Sequence, residues 1–458
     1  MMSEQHDGVQ TSIGSQGFEI MKRRAFLAGT AAAASLSLTK PQAGAKALAN
    51  DRIGIAMIGV RGRGNGVLNH FAKQPDVDVR YVCDIDENVL QERTKALTSR
   101  TGRPAESVND FRRCLDDKQV DAVVIATPTH WHGIQTIMAC QAGKDVYVEK
   151  PDAHNAMEGR MMVKAAQKHQ RIVQLGTQSR SGESFLEMVK YLKTGAIGRP
   201  LFAKAWESTR QGSLGHPSDS EVPQGIDYDM WLGPAPQRPF NPMRFHGNWR
   251  WFFDYGAGDL GNDGVHRLDF AKWAFDAALE GNQQPVLGDL KSVSAHGAKC
   301  YFDDIQEWPD HLMITYDYGD GRIMTYEMRI WAPYPLEGES EGAAVYGDEG
   351  YMIIGNSRWR AFTKGGKQVA ETKGNYNNNT GPHVVNFLEC MRTREKPNAD
   401  LETVGHPSSL LCHLGNAAWR AGRSLQFDAS DYTCINDDDA NQYLKRPVYR
   451  KPWELPVI

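Results

Sequence analysis

Lys150 is the residue of this chain best placed to act on a bound molecule. It lies in the segment Val146–Pro151, where β-forming residues run into Glu149, Lys150 and a proline that ends the strand. Ligands of open parallel sheets gather at the carboxyl ends of the strands, and a lysine there is readily tuned in pKa. We predict that this strand delivers Lys150 to a substrate. A surface lysine beside Glu149 is the alternative interpretation.

A second segment, Gly258–Asp269, has a histidine and carboxylates at helical spacing. If a helix begins near Asn262, then His266 lies one turn further on the same face, and Asp263 lies three residues before it. A carboxylate near a histidine can orient the imidazole while the histidine takes a proton from a hydroxyl. We predict that Lys150 and His266 polarise or deprotonate a hydroxyl, supported by Asp263. The alternative is a helix cap beside a packed histidine.

The elements that would position Lys150 begin with a glycine-rich turn. Strand Arg52–Ile58 runs into Gly59-Val-Arg-Gly-Arg-Gly64, and a helical stretch follows. Strand, glycine turn and helix is the context that a dinucleotide-binding turn needs. The spacing departs from G-x-G-x-x-G, because Arg61 occupies the middle position and Gly62 comes one residue later. We predict that the turn holds a pyrophosphate, with Arg61 or Arg63 along it.

Asp84 strengthens the nucleotide prediction. It ends the strand Val79–Asp84 and lies 20 residues after Gly64, where an acid would bind the ribose hydroxyls. A carboxylate at this position repels a 2′-phosphate, which favours NAD over NADP. Asp86 is the better candidate for capping the helix Glu87–Arg100.

Further strand ends also carry polar or aromatic residues. Strand Val120–Ala126 leads into a predicted loop, Thr127–His132, and then helix Gly133–Ala142, so that a nicotinamide would lie against the loop. The predicted cofactor contacts beyond the glycine turn and Asp84 are Thr127, Trp131, His132, Glu149 and Gln178. The regular alternation of strands and helices predicts an α/β domain, a doubly wound parallel sheet of the Rossmann type over residues 50–178.

Beyond residue 178 the pattern changes to an α+β domain, which we place at residues 179–430. Alternating strands are predicted between Leu201 and Thr363, including a hairpin across Tyr318–Gly321, and helices follow at Val384–Arg394 and Ser408–Gly422. We predict an open, mostly antiparallel sheet with helices on one face. Its other face would be free for self-association into a homo-oligomer, and residues 431–458 would form a surface arm.

Four motifs in one order carry a family resemblance. They are Gly59–Gly64, Cys83–Asp86, Ala126–His132 and Glu149–Pro151. Together they resemble the glucose-fructose oxidoreductase / inositol dehydrogenase / rhizopine-catabolism (Gfo/Idh/MocA) family of NAD(P)-dependent sugar oxidoreductases, from residue 51 to about residue 430. The resemblance implies that Lys150 lies near the nicotinamide and the reacting hydroxyl.

The chain departs from this family at one position. The family pattern is Asp-x-x-x-His, and this chain has Asn262 at the Asp position ahead of His266. Asp263 or Asp259 compensates, or the histidine is less basic.

The resemblance implies hydride transfer between NAD and a hydroxyl of a sugar, polyol or glycoside, with the nucleotide tightly bound. Trp249, Arg250 and Tyr255, in an aromatic and basic loop, are candidate substrate contacts together with Lys150, Asn262 and His266, because sugars bind aromatic faces and polar groups. Packing of this loop at a domain interface is the alternative.

Two other functions are open. One is a redox-neutral glycosidase or lyase that oxidises a sugar hydroxyl transiently. Exported glycosidases of this kind carry a Tyr-Pro-Thr-His-like segment where this chain has Asn262–His266, which argues against that group. The other is a non-catalytic sugar-binding protein, which Lys150 and His266 disfavour.

Composition and the N-terminal region give the remaining expectations. A net charge of −4 gives no reason to expect nucleic acid as a partner, and seven cysteines without a C-x-x-C pair predict no metal site. Within residues 1–49, Met21–Leu27 contains paired arginines ahead of a short apolar run, which resembles a twin-arginine export signal. The run is too short for a membrane span and predicts a periplasmic or otherwise exported protein. Translation from Met1 or from Met21 fits equally.

Overall fold

The structure is a computed structural model that describes residues 52–372 and 379–458. The predicted export segment, Met21–Leu27, lies outside the described residues. None of the helices described is long and apolar enough to cross a membrane.

The first domain contains a parallel sheet of six strands in the order β3-β2-β1-β4-β5-β6. Its strands are β1 (Ile53–Ile58), β2 (Val77–Cys83), β3 (Glu106–Val108), β4 (Ala122–Ile125), β5 (Asp145–Val148) and β6 (Val173–Leu175). The intervening helices are α1 (Gly62–Phe71), α2 (Glu87–Thr101), α3 (Arg112–Asp116), α4 (Thr129–Gln141) and α5 (Ala156–His169). Every residue of β4 and β5 is buried, as expected for central strands covered on both faces. The predicted doubly wound sheet is confirmed.

The second sheet has ten strands in the order β14-β13-β12-β11-β7-β10-β9-β8-β15-β16. They are β7 (Pro200–Ser208), β8 (Ser292–Ala298), β9 (His311–Asp317), β10 (Ile323–Arg329), β11 (Glu341–Gly347), β12 (Gly350–Ile354), β13 (Trp359–Thr363), β14 (Gln368–Glu371), β15 (Leu425–Asp428) and β16 (Thr433–Cys434). Neighbouring strands are antiparallel except β7 and β10, which pair in parallel. The predicted mostly antiparallel sheet is confirmed, and the short strands β3, β14, β15 and β16 are additions to the prediction.

The helices after residue 178 do not all pack against the second sheet. They are α6 (Glu183–Leu192), α7 (Tyr228–Leu232), α8 (Val265–Gly281), α9 (Thr380–Thr393), α10 (His406–Ala421) and α11 (Asp438–Asn441). Helices α8 and α10 belong to the large core of the second domain. Helix α9 instead packs against the first sheet, where Phe387 meets Phe71 and Tyr147 edge to face. The two sheets are therefore joined by a shared layer of helices.

The prediction of a surface arm after residue 430 is wrong. Trp453 is buried and packs beside Phe111 and Trp131 of the first domain. Arg446 is also buried, close to the carboxylate of Glu158. Trp453 and Arg446 therefore anchor the C-terminal segment to the first domain, where Trp453 covers apolar surface beside α3 and α4.

One buried ion pair joins three of these elements. Asp269 of α8 is fully buried and accepts hydrogen bonds from Arg180 Nη2 at 2.7 Å and Arg180 Nε at 2.9 Å. Ser408 Oγ of α10 donates to the same carboxylate at 2.7 Å. Arg180 itself follows β6, so the pair links the first domain to both helices.

We expect Asp269→Asn to lower the free energy of unfolding by about 3–5 kcal/mol, because it leaves the buried guanidinium of Arg180 without a counter-charge. Urea unfolding followed by circular dichroism measures this change. Glu92→Gln is the matched control, since it removes an exposed pair with Arg93 and should cost less than about 1 kcal/mol. Equal unfolding midpoints for the two variants would contradict the role of Asp269.

Candidate active site

Lys150 follows β5 and reaches across to the second domain. Its Nζ donates to the backbone oxygen of Asn262 at 2.5 Å and to Asn262 Oδ1 at 3.1 Å. Glu149, its neighbour, turns the other way and accepts from Arg63 Nε at 2.8 Å. No described contact pairs Glu149 with Lys150, so the alternative interpretation of a surface lysine beside Glu149 does not hold. Lys150 uses its ammonium to bind a residue 112 positions later in the chain.

Asn262 lies in a π-helical turn, Leu260–Gly264, that opens helix α8. Its amide nitrogen donates to Asp259 Oδ1 at 3.2 Å and to Asp263 Oδ2 at 3.1 Å. The amide is thus oriented with its oxygen toward Lys150 and its nitrogen toward two carboxylates. Such π-helical turns occur frequently at functional sites, where they change the direction of side chains.

The carboxylates of Asp259 and Asp263 form a cluster with Glu207 at the end of β7, with carboxylate oxygens within 4.8 Å of one another. Glu207 is fully buried, and Tyr326 donates to its Oε2 at 3.3 Å. Burial, and then the nearby Asp259, raise the pKa of Glu207 well above its usual range. Burial likewise raises the pKa of Asp259. Burial and mutual repulsion therefore favour protonation of this carboxylate pair.

His266 lies one turn after Asn262, as predicted, and is half-buried. Burial lowers its pKa well below the usual range, and the positive charge of Lys150 lowers it further. The predicted contact with Asp263 is not formed. Among the described residues no hydrogen bond joins the two, because Asp263 instead accepts from the amide of Asn262. The lowered pKa favours a neutral imidazole, which has a ring nitrogen free to accept a proton but is a weaker base than an ordinary histidine.

A cavity of about 320 Å³ extends from the glycine turn to Asn262. Its walls include Gly59, Arg61, Gly62, Arg63, Asp84, Thr127, Trp131, Trp249, Arg250 and Asn262. The structure therefore gathers most of the predicted cofactor residues around one space. Residues of both domains line it, so a ligand bound there would contact both.

The glycine turn leaves no room for a side chain at Gly59 and Gly64, and open space at Gly62. Gly59 has φ +80°, and a Cβ atom on Gly64 would lie 1.9 Å from the backbone oxygen of Gly59. Gly62 begins helix α1, has φ +30°, and has open space where its Cβ would be. A helix N-terminus that faces open space binds phosphate groups through its free N–H groups and dipole. These residues fit the pyrophosphate of a dinucleotide.

Asp84 directly follows β2 and lies in the wall of this cavity. Its Oδ2 accepts from the N–H of Val60 at 2.8 Å and its Oδ1 from the N–H of Asp86 at 3.1 Å. Burial raises the pKa of Asp84, and these two N–H groups oppose that rise. Asp86 caps α2 through Asn88 and Val89, as predicted. Asp84 is therefore both a support for the glycine turn and a candidate ribose ligand.

A loop of the second domain closes over the outer end of the cavity. His246, at φ +53°, lies in the cavity wall with its Nε2 3.4 Å from Asp86 Oδ2. The backbone of the same region pairs with the first domain, where Glu87 N donates to Gly225 O at 2.9 Å and Asp227 N donates to Ile85 O at 3.0 Å. The loop is therefore held at three points above the nucleotide cavity.

Three predicted residues support the site from outside the cavity. His132 is buried, and its two ring nitrogens lie 2.9 Å from the backbone oxygens of Pro151 and Thr127. The predicted loop before it is wrong, because Thr129 to His132 form the first turn of α4. Gln178 donates to Glu149 Oε1 at 3.0 Å. His132, Glu149 and Gln178 thus position the turn around Lys150.

The three residues of the aromatic loop that we predicted as substrate contacts fall into two groups. Trp249 and Arg250 line the cavity, as expected of ligand contacts. Tyr255 is fully buried against His130 and Trp231, so its expected role in substrate binding is not met and the alternative of core packing holds for it.

Sequence reasoning missed Glu207, His246 and Trp231. Glu207 had a usable signal, because it is an acid at the carboxyl end of the apolar strand β7. His246 and Trp231 had none, since their position depends on how the loop between β7 and α8 folds back on the first domain.

Models of known protein families match both domains of this chain. Residues 53–177 match the oxidoreductase family, NAD-binding Rossmann fold. Residues 188–455, more than half of the chain, match the oxidoreductase family, C-terminal alpha/beta domain. The chain therefore belongs to the Gfo/Idh/MocA oxidoreductase family, and its first domain is an NAD-binding Rossmann domain.

Individual relatives differ in the activity that their names give. The chain is 30% identical over 417 residues to glycosyl hydrolase family 109 protein 2 of Shewanella sp. (strain ANA-3), covering 81% of this chain and 86% of that protein. It is 23% identical over 291 residues to scyllo-inositol 2-dehydrogenase (NAD(+)) of Bacillus subtilis (strain 168), covering 62% and 71%. Two further family 109 proteins are matched over only 35% and 29% of their own length.

Among solved structures, the fold is similar to aldose-aldose oxidoreductase from Caulobacter crescentus complexed with glycerol. The TM-score is 0.62 at 19% identity, over 82% of this chain and all of that one. At this identity the likeness concerns the fold alone.

We expect Gly64→Ala to weaken NADH binding by at least about tenfold, or about 1.4 kcal/mol, because the new methyl group would collide with the backbone of Gly59. Titration of NADH fluorescence measures the affinity. Gly66→Ala is the matched control on the same helix, since its Cβ would meet open space, and its affinity should stay within about twofold of the parent. Similar weakening in both variants would mean that the turn does not hold the nucleotide.

Proposed function

We propose that the protein is an NAD-dependent oxidoreductase that transfers a hydride between the nicotinamide and a hydroxyl of a sugar, polyol or glycoside. The observation that carries this proposal is the position of Lys150 on Asn262, at the end of the nucleotide cavity, with His266 one helical turn away. The name of the Bacillus scyllo-inositol 2-dehydrogenase supports a substrate of this class.

The residues of the site have separate roles in the oxidation of the substrate. Bound NAD supplies the hydride acceptor. Lys150 has a third N–H beyond the two that bind Asn262, and this N–H is available to the substrate hydroxyl. His266, as a neutral imidazole, accepts the proton of the substrate hydroxyl. The carbon that bears this hydroxyl loses its hydride at the same time. Lys150 stabilises the negative charge that develops on the oxygen.

For the cofactor we propose NAD over NADP and tight retention. Asp84 supports the first part, because its carboxylate in the cavity wall disfavours a 2′-phosphate. The loop held over the cavity by His246 and Asp86 supports the second part, since a nucleotide below it could leave only after these contacts open.

Redox-neutral cleavage of a glycoside is the second candidate. The observation that favours it is the 30% identity to the Shewanella family 109 protein over most of both chains. In this chemistry a hydroxyl would lose its hydride to bound NAD and its proton to a base, which would make the neighbouring C–H acidic. Loss of that second proton to a base would eliminate the leaving group, which would depart with a proton. Water would then add to the new double bond, and the hydride and a proton would return to the carbonyl. Lys150 and His266 would serve both directions of hydride transfer.

We also propose that two copies associate through the outer face of the second sheet. Four half-buried aromatic residues cross this face, and neighbouring rings lie 4.8–5.8 Å apart. They are Phe202, Tyr346, Tyr351 and Phe362. Aromatic side chains of this kind are enriched at protein interfaces.

Export by the twin-arginine route remains part of the proposal, and its support is the sequence Met21–Leu27 alone. That route carries folded protein, which suits an enzyme that takes its nucleotide with it.

Incubation of the pure protein with NAD and a panel of sugars, polyols and aryl glycosides tests the activity. We expect accumulation of NADH for a dehydrogenase, and release of the aglycone without NADH for the redox-neutral route. Lys150→Met should abolish either signal and keep nucleotide binding, while Lys168→Met, on the surface of α5, should keep both. Substrate binding by the parent protein without either product would identify a sugar-binding protein instead.

The protonation of His266 can be measured without knowing the substrate. Burial and Lys150 lower its folded pKa below the ordinary value of about 6.5, so the imidazole should stay neutral as the pH falls through 6.5. NMR of protein labelled with ¹³C at histidine Cε1 follows the titration, and His266→Gln identifies the resonance. The unfolded chain binds this proton first, so the group should reduce stability below pH 6.5. A midpoint above 6.5 would contradict the lowering of the His266 pKa by burial and by the charge of Lys150.

A further inference from the structure

Outside the proposed active site, one cluster combines three different metal-binding side chains. Cys300 follows β8, and Asp310 and His311 stand at the start of β9, on the antiparallel pair in which Ala298 faces His311. Six of the seven cysteines are buried, and Cys300 is the exposed one. Strand pairing thus brings together a thiol, a carboxylate and an imidazole, although the sequence has no C-x-x-C motif and predicted no metal site.

The distances within this cluster match the edges of a tetrahedron around a metal ion. Cys300 Sγ lies 3.4 Å from His311 Nδ1 and 3.7 Å from Asp310 Oδ1, and His311 Nδ1 lies 3.3 Å from Asp310 Oδ1. Zinc binds sulfur at about 2.3 Å and nitrogen or oxygen at about 2.0–2.2 Å, which separates neighbouring tetrahedral ligands by about 3.3–3.6 Å. One ion can therefore reach all three donor atoms with little movement.

The carboxylate of Asp310 is held in position by hydrogen bonds before any metal binds. Asp310 is fully buried, and its Oδ2 accepts from the backbone N–H groups of Cys300, Tyr301 and Phe302 at 2.9, 2.6 and 3.0 Å. This leaves Oδ1 directed at the thiol and the imidazole. Ligating carboxylates are commonly held by hydrogen bonds of this kind, which reduce the entropy lost when a metal binds.

We propose that Cys300, Asp310 and His311 form a binding site for a divalent cation of the zinc class, with a fourth position open to solvent. The donor set selects the class, because thiolate and imidazole favour zinc and similar ions, whereas calcium and magnesium take oxygen ligands. Binding converts the Cys300 thiol to a thiolate and releases its proton to the buffer. The site would also join the ends of β8 and β9.

Cobalt(II) is the probe, because a bound thiolate gives it a sulfur-to-cobalt charge-transfer absorption. Reduced, untagged full-length protein, stripped with a chelator, is titrated with Co²⁺, and difference spectra remove the absorption of bound nucleotide. We expect one Co²⁺ per chain with a charge-transfer band, release of one proton, and displacement by Zn²⁺. Cys300→Ser should abolish the band and weaken binding by at least about tenfold, and His311→Gln should weaken it similarly.

His216→Gln is the matched control. His216 is exposed, lies 3.1 Å from Asp303 and has no cysteine beside it among its described contacts, so its removal should leave the titration unchanged. Asp310 is left intact, because its Oδ2 holds three backbone N–H groups and its loss would disturb the fold. Two outcomes would overturn the proposal: no Co²⁺ binding by the parent, which would mean a hydrogen-bonded trio only, or parent-like binding by Cys300→Ser.

Discussion

The contact between Lys150 and Asn262 is the interaction on which the candidate active site depends. It joins the carboxyl end of a strand in the first sheet to the first turn of a helix in the second domain. Together with the Arg180–Asp269 pair, it sets the distance between the nucleotide cavity and the histidine of the second domain. Because the ammonium donates to both oxygens of one residue, it is held in position and keeps a donor for substrate. Proximity of this kind is a large part of what an enzyme contributes to a reaction between two bound molecules.

The hydrogen bonds of Asn262 explain why an asparagine is favoured over an acid at this position. Asp259 and Asp263 both accept from its amide nitrogen, and Glu207 lies next to Asp259. A carboxylate in its place would add a fourth acid to the cluster and remove the only donor that Asp259 and Asp263 share among the described contacts. The family pattern has an acid at this position, and here the acids stand one residue after it and three residues before it. The carboxylates therefore contact the amide nitrogen of Asn262 and make no described hydrogen bond to His266. The pKa of His266 is lowered by burial and by the charge of Lys150.

Much of the fold could be predicted because local patterns decide it. The apolar strands β4 and β5, the glycine turn before α1 and the cap at Asp86 are all legible within a few residues of sequence. The site was predictable where a strand end or a helical spacing specifies it, as for Lys150, Asp84 and His266. The prediction was wrong where distant contacts decide. Thr129–His132 is helical, and His132 there contacts the backbone of Pro151, which lies 19 residues later. The C-terminal segment is anchored through Trp453, which packs beside Phe111 and Trp131.

The nucleotide cavity is built from both domains, and this has a consequence for catalysis. Trp249, Arg250 and His246 come from the loop that leads directly into Asn262 and His266. A bound nucleotide would therefore contact the same chain segment that carries the proton acceptor. Ordering of this loop by the nucleotide would fix the start of α8, and with it the distance from His266 to the substrate hydroxyl. Binding energy from the remote adenosine end can in this way be used to position the reacting groups, as expected when a site must hold two reactants in one geometry.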